Sequence, residues 1–161
     1  MSKLNGLRII EIPGFRAVSS GSQPFETIFG EGGFGEWMTA NKHLLRDCFY
    51  ANPDFMWHEQ DSYATWIWAV RDDVTTEECK PYELIEFKGG MYAVATADEK
   101  DNKDLNEVVS GMVKWIADSG IFEMDKPPRY GMGHMVGVGL TDKLGWAQQE
   151  IFLPIKYKET V

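Results

Sequence analysis

The stretch Gly14-Phe15-Arg16-Ala17-Val18 recurs in the second half of the chain as Gly90-Met91-Tyr92-Ala93-Val94. Two further matches follow in the same order: Trp37-Met38 with Trp115-Ile116, and Glu83-Leu84-Ile85 with Glu150-Ile151-Phe152. Similar segments that recur in the same order indicate a repeated structural unit. The sequence therefore predicts an internal duplication, with pseudo-repeats at about residues 7–87 and 88–157 inside a single domain of residues 1–161.

Each half is expected to form a strand-helix-strand-strand module. Apolar residues at helical spacing predict one helix over 34–48, and Asp104 with Glu107 predicts a capping box before a second helix. Predicted strands lie at 7–12, 15–20, 63–71, 82–87, 91–97, 130–138 and 146–157. Two such modules give an α+β fold with a curved antiparallel sheet, both helices on one face, and a central ligand cavity against the other.

Composition narrows the classes of partner. Of the 161 residues, 43% are hydrophobic, which is enough for a buried core, and 16 basic residues against 25 acidic ones give a net charge of −9. An acidic chain repels phosphate polymers and attracts neutral or cationic molecules. The sequence predicts no direct nucleic-acid binding, and a monomer or weak homodimer.

Residues that bind metals or cofactors show no useful spacing. Cys48 and Cys79 lie far apart, so they are expected to be reduced thiols, and His43, His58 and His134 form no ligand pattern. Neither a metal nor a cofactor is predicted. Because no apolar run reaches ~18 residues and the start lacks an apolar signal core, we expect a cytoplasmic protein without membrane contact.

A glycine-rich segment, Gly30 to Gly35, matches the pattern that holds a pyrophosphate at a helix start. Glu31 and Glu36 would repel phosphate there, and the following strands alternate as antiparallel strands do. The segment is therefore interpreted as a flexible portal.

Alternation in the last strand gives the main candidate site. Ile151, Leu153 and Ile155 point one way, while Trp146, Gln148, Glu150 and Phe152 point the other. A carboxylate among ring faces binds an organic cation by Coulomb attraction and by cation–π contact. Glu150, Trp146 and Phe152 are therefore predicted to line a ligand pocket, the alternative for Glu150 being a solvated edge position.

The remaining candidates come from the other strands. Trp66 and Trp68 share a strand face and form either a pocket wall or core packing, and a register slip of one residue would exchange them with Thr65 and Ile67. Phe55-Met56-Trp57 is expected as a loop, either a lid over the ligand or a segment against the core. Glu83, as the repeat counterpart of Glu150, and Tyr130 complete the predicted ligand-binding set.

Several segments together resemble the GyrI-like small-molecule-binding family, which supplies the effector-binding domain of multidrug-responsive transcription regulators. They are Phe15 to Val18 after a Pro-Gly turn, Phe87 to Val94, Trp115, Pro127-Pro128-Arg129-Tyr130, and Glu150-Ile151-Phe152-Leu153-Pro154-Ile155. The resemblance implies two modules about a pseudo-twofold axis and a cavity glutamate, which Glu150 matches best. Since this chain begins almost at its first strand, a stand-alone member without a helix-turn-helix segment is expected.

Three functions follow from these observations. The first is a stand-alone binding protein that sequesters or senses flat, hydrophobic, mostly cationic molecules such as drugs or dyes. The resemblance also implies an alternative, a hydrolase that opens cyclopropanoid DNA-alkylating compounds, with Glu150 acting on water and Tyr130 or a tryptophan stacking on the substrate. The third is an adaptor that binds a protein partner, such as gyrase, through its acidic surface.

Overall fold

The structure, a computed structural model, describes residues 6–48, 52–125 and 129–160. Its strands are β1 (Arg8–Ile12), β2 (Phe15–Ser19), β3 (Gln23–Pro24), β4 (Asp54–Gln60), β5 (Tyr63–Ala69), β6 (Glu83–Phe87), β7 (Gly90–Asp98), β8 (Phe122–Met124), β9 (Met132–Met135) and β10 (Gln148–Tyr157). Its helices are α1 (Phe25–Phe29), α2 (Phe34–Ala40), α3 (Thr76–Cys79), α4 (Asn102–Asp118) and α5 (Thr141–Leu144), with short 3₁₀ turns at Lys42–Leu44 and Val138–Leu140.

The chain divides into two compact units. Unit 1 comprises Met1–Ile12 and Gly90–Val161, and unit 2 comprises Pro13–Gly89. Unit 1 has the antiparallel strand order β1-β7-β10-β9, with β8 also on β10, and unit 2 has the order β6-β2-β5-β4, with β3 also on β5. The strand-helix-strand-strand module therefore occurs as β7-α4-β9-β10 and as β2-α2-β4-β5. The predicted α+β class with antiparallel pairing is confirmed.

In unit 1, helix α4 packs against one face of the sheet. Small residues on β7 allow this close approach, and the buried cluster contains Ala93, Ala95, Ala97, Val108, Met112, Ile116, Phe122, Ile151, Leu153 and Ile155. The helix begins earlier than predicted, because Asp101 is its N-cap and accepts hydrogen bonds from the backbone N–H groups of Lys103 and Asp104. Asp104 instead accepts a bond from the backbone N–H of Asp98, at 2.9 Å.

In unit 2, α1 and α2 cover one face of the sheet. The buried cluster contains Val18, Ile28, Phe34, Met38, Leu44, Ala64, Val70, Val74 and Cys79. The helix predicted over 34–48 is shorter, since α2 ends at Ala40. The expected loop at Phe55-Met56-Trp57 is wrong as secondary structure, because these residues lie in β4 and pair with β5.

The strand correspondence corrects one predicted equivalence. In the two strand orders, β10 corresponds to β5 and β6 corresponds to β1. Glu83 begins β6 and Glu150 lies in β10, so the two carboxylates do not occupy equivalent strands. The alignment of Glu83 with Glu150 is therefore wrong, because β4 was not recognised as a strand of the first module.

The glycine-rich segment makes a tight connection between α1 and α2. A Cβ atom on Gly33 would lie 2.1 Å from the carbonyl oxygen of Thr27, so only glycine fits this close approach. The carboxylate of Glu36 accepts a hydrogen bond from the backbone N–H of Gly32 at 2.8 Å. The Glu36 carboxylate thus already accepts a hydrogen bond from one of the backbone N–H groups that a phosphate would use.

The last two features of the sequence are Pro127-Pro128 and the apolar content of the helices. Pro127-Pro128 lies outside the described residues, and the predicted loop before it contains strand β8 at Phe122–Met124. Among the described helices, none is both long enough and apolar enough to span a lipid bilayer.

Candidate functional site

Strand β10 places Glu150 inside the sheet of unit 1. Glu150 pairs with Thr96 of β7 on one side and with His134 of β9 on the other. Because Ile151 and Leu153 pack on the α4 side, Glu150 lies on the opposite face. The predicted alternation of this strand is confirmed.

The carboxylate of Glu150 is buried and paired with a cation. Glu150 is 6% exposed, and a charge removed from water in this way is costly unless an opposite charge compensates it. Nη2 of Arg8, on β1, donates a hydrogen bond to Oε2 of Glu150, and Nη1 donates one to the carbonyl oxygen of Gly6 at 3.2 Å. The Arg8 side chain is 42% exposed, so it contacts both the buried carboxylate and the solvent.

Aromatic rings lie on the same sheet face. Phe152 is buried two residues after Glu150, and its ring meets that of Tyr92 at 6.1 Å in a T-shaped arrangement. The guanidinium of Arg129 lies 4.6 Å from the centre of the Tyr92 ring. Burial raises the pKa of the Tyr92 hydroxyl, although Arg129 opposes that effect, so Tyr92 stays neutral at pH 7.

Arg129 is held by several groups at once. It donates to Asp125 at 2.8 Å, to the carbonyl oxygen of Met91 at 2.6 Å and to that of Ile155 at 3.2 Å. Burial on its own would lower the pKa of Arg129, but the hydrogen bonds from Arg129 to Asp125 and Tyr92 outweigh it and raise the pKa. Arg129 is therefore a fixed structural cation.

Unit 1 also has an open depression of about 580 Å³, which neither Arg8 nor Glu150 lines. Its lining residues all belong to unit 1: Gly6, Thr96, Ala97, Asp98, Asp101, Asp104 and Trp146. Gly6 is the second acceptor for Arg8, and Thr96 is the strand partner of Glu150. Trp146 is 37% exposed and lines this depression together with the three aspartates.

The two predicted tryptophans of unit 2 lie on the helix-bearing face. Trp66 stacks on Phe29 at 5.0 Å, and both Trp66 and Trp68 pack against the buried cluster beneath α1 and α2. The prediction that Trp66 and Trp68 lie on the sheet face opposite the helices is therefore wrong. The structure has the alternative register, which places them on the helix-bearing face. Nε1 of Trp66 donates to Asp54 at 2.8 Å, and Met56 shares this face.

The other predicted residues are dispersed. Trp57 lies on the opposite face of β4, where its indole N–H and the Thr65 hydroxyl donate to Glu59 at 2.9 and 3.0 Å. Glu83 is exposed at the start of β6. Tyr130 is half-buried just before β9. Of the predicted set, Glu150 and Phe152 share one face of β10, and Trp146 lies two residues before the strand begins.

Sequence reasoning missed two neighbours of Glu150. Arg8 begins the short strand Arg-Ile-Ile-Glu-Ile and lies on the same strand face as Ile10 and Ile12. A charged residue among apolar residues on one face is a signal that sequence reasoning could have used. His134 was considered only as a metal ligand, yet it is 5% exposed and lies directly opposite Glu150. Within residues 6–48, 52–125 and 129–160, no three His, Cys, Asp or Glu side chains converge as a metal site would require.

The fold matches known structures, although the sequence matches no family model and no curated protein. A hydrolase from Listeria innocua superposes with a TM-score of 0.70 at 13% identity, over 97% of this chain and 94% of that one. The C-terminal domain of EcmrR gives 0.65 at 16% identity, over 96% and 99%. SAV2435, solved bound to tetraphenylphosphonium, gives 0.57 at 14%, over 93% of each chain. The chain thus has the same fold as these three proteins.

Proposed function

We propose that this protein binds hydrophobic, mostly cationic small molecules and that the carboxylate of Glu150 is their counter-ion. The observation that carries the proposal is the guanidinium of Arg8 on this carboxylate: a buried acid already holds a flat, delocalised cation. A protein of similar fold, SAV2435, was solved with the organic cation tetraphenylphosphonium. Sequestration or sensing of drugs or dyes fits such a site.

Two physical terms would act together on such a ligand. Coulomb attraction to a carboxylate of low exposure is less screened than at the surface. Aromatic faces of unit 1, above all the exposed Trp146 in the depression, would add cation–π and apolar contact worth about 0.5–2 kcal/mol each. Neutral molecules of the same shape gain only the second term, so the site is expected to select for charge.

The test is a calorimetric titration with tetraphenylphosphonium and its neutral analogue triphenylphosphine oxide. Glu150→Gln keeps the size of the side chain and removes its charge, so it should weaken binding of the cation on the order of 10- to 100-fold. Binding of the neutral analogue should change little.

Glu83→Gln is the matched control, because Glu83 is exposed on an end strand of unit 2 and its substitution changes the net charge equally. An equal loss for both ligands in Glu150→Gln, or an equal loss in both variants, contradicts the role of Glu150 as counter-ion.

Hydrolysis is the second candidate, favoured by one specific observation. Glu150 and His134 face each other on paired strands, and a carboxylate beside an imidazole can orient and deprotonate water. The proposal here is ring opening of a cyclopropanoid electrophile, in which one water molecule adds to the compound.

Mass spectrometry distinguishes the two functions. A cyclopropanoid compound incubated with excess protein should gain the mass of one water if the protein is a hydrolase. His134→Gln should then abolish turnover while leaving binding of tetraphenylphosphonium nearly unchanged. Recovery of the unchanged compound after long incubation excludes this candidate for that substrate class.

A further inference from the structure

Arg8 occupies the position on Glu150 that a cationic ligand needs. Its guanidinium contacts the carboxylate oxygen Oε2, and Glu150 is buried, so a second cation gains close access to this oxygen only when Arg8 moves away. We propose that Arg8 is an internal competitor for the ligand, which binds by exchanging places with the guanidinium. This inference rests on the proposed function of Glu150.

The contacts of Arg8 are suited to exchange. Its side chain is 42% exposed, and apart from Glu150 its hydrogen bond is to the carbonyl oxygen of Gly6, on the wall of the depression. A released guanidinium remains charged and regains water there, close to the carboxylates of Asp98 and Asp101. The cost of release is therefore small compared with that of a fully buried cation.

Arg129, in the same unit, is an arginine whose contacts fix it in a structural role. Its side chain is 20% exposed, it donates to one carboxylate and two carbonyl oxygens, and it lies over the ring of Tyr92. Moving Arg129 would leave several acceptors unpaired at once. Arg8 has fewer contacts and far more exposure, which separates an exchangeable counter-ion from a structural one.

Competition with Arg8 determines which class of cation can bind to Glu150. Because Arg8 is tethered to β1, which only β7 separates from the strand of Glu150, it is present at a high effective concentration and outcompetes simple ions in solution. A ligand displaces it only by adding apolar contact that a guanidinium lacks, such as contact with Trp146. The expected ligands are therefore large hydrophobic cations, and small hydrated cations are excluded.

The test is titration of Arg8→Gln with tetraphenylphosphonium. The apparent affinity equals the intrinsic affinity multiplied by the fraction of molecules whose Glu150 carboxylate is free. If the ion pair is formed in about nine-tenths of the wild-type molecules, the variant, in which every carboxylate is free, should bind about tenfold more tightly. Arg16→Gln is the matched control, since Arg16 lies on β2 of unit 2 and pairs with the exposed Glu86 at 3.5 Å. It removes the same charge and should leave the affinity within about twofold.

The outcomes separate this inference from the proposed function. Tighter binding in Arg8→Gln alone supports internal competition. Unchanged or weaker binding in Arg8→Gln, while the wild type still binds the cation through Glu150, overturns the competition and leaves the function intact. Absence of binding in both proteins overturns both proposals.

A measurement on the wild type covers the case in which Arg8→Gln does not fold. A guanidinium held by a carboxylate rotates slowly, which ¹⁵N NMR of arginine side chains detects as separate Nη signals. Tetraphenylphosphonium should merge the signals of Arg8 and leave those of Arg129 unchanged. If the Arg8 signals stay separate at saturating ligand, the exchange does not occur.

Discussion

The carboxylate of Glu150 in unit 1 and those of Asp54 and Glu59 in unit 2 have different kinds of partner. In unit 1, Glu150 is buried against the guanidinium of Arg8, a full positive charge. In unit 2, neutral indole N–H groups serve the acids: Trp66 donates to Asp54 at 2.8 Å and Trp57 donates to Glu59 at 2.9 Å. An acid with a charged partner can exchange it for another cation, whereas tryptophans that are committed to hydrogen bonds and core packing stabilise the sheet itself.

This difference teaches that tryptophan content is a poor guide to a ligand site in this fold. Trp66 and Trp68 form the most conspicuous aromatic pair of the sequence, with ring centres 5.4 Å apart, yet they pack beneath the helices of unit 2. The inconspicuous Arg8 marks the candidate site, because its charge shows which carboxylate requires a cation.

Breaking the ion pair of unit 1 should have the largest effect on stability. Arg8→Leu leaves a buried carboxylate without its cation, and we expect it to lower the free energy of unfolding by about 3 kcal/mol. The double variant with Glu150→Leu should recover most of that loss, because no unpaired charge remains. Urea unfolding of the four proteins of this double-mutant cycle measures the coupling, and additive effects would mean that the pair is not formed in solution.

An intermediate effect is expected from the hydrogen bond of Trp66. Trp66→Phe removes the donor to Asp54, whereas Nε1 of Trp68 is buried and has no acceptor within the part of the chain that the structure describes. Trp68→Phe is therefore the matched control, with the same loss of volume. Thermal unfolding should show Trp66→Phe to be about 1–2 kcal/mol more destabilised. Equal destabilisation would indicate that the Asp54 bond contributes nothing.

The smallest effect concerns Glu59 and acid. The indole N–H of Trp57 lowers the pKa of Glu59, with help from Thr65 and against a weaker opposing effect of burial. A lowered folded-state pKa gives stability that is complete above the unfolded pKa of about 4.3 and is lost as pH falls through the folded pKa. Trp57→Phe should raise the pKa of Glu59 in an NMR titration and make the protein lose less stability on acidification. An unchanged pKa would contradict the assigned cause.

Local patterns predicted much of the fold. The alternation that placed Ile151, Leu153 and Ile155 toward a helix, and the recurrence of Gly14 to Val18, led to the module order that the structure has. The hairpin of β4 and β5 escaped detection because its turn holds no glycine or asparagine. Ser62 takes the left-handed conformation there, with φ of 66°. A missed strand then displaced the repeat alignment and produced the false match of Glu83 with Glu150.

The candidate site was predictable only in part. Glu150 was found because an acid among large apolar residues stands out along one strand. Its partner Arg8 lies 142 residues away in sequence, and nothing local specifies that β1 pairs with β7 in a register that brings the two charges together. The face of Trp66 and Trp68 depended on a single residue of register, which pairing with β2 and β4 determines.

The separation of β1 from the rest of unit 1 along the chain has a consequence for the order of synthesis. Unit 2 is one continuous segment, Pro13–Gly89, so all of its strands are synthesised before β7. Arg8 is made before unit 2 but can meet Glu150 only after β10 is made, 142 residues later. Long-range pairing of this kind forms late. The nascent chain therefore forms this ion pair only after unit 2 is complete, and a chain truncated before β10 has Arg8 but not Glu150.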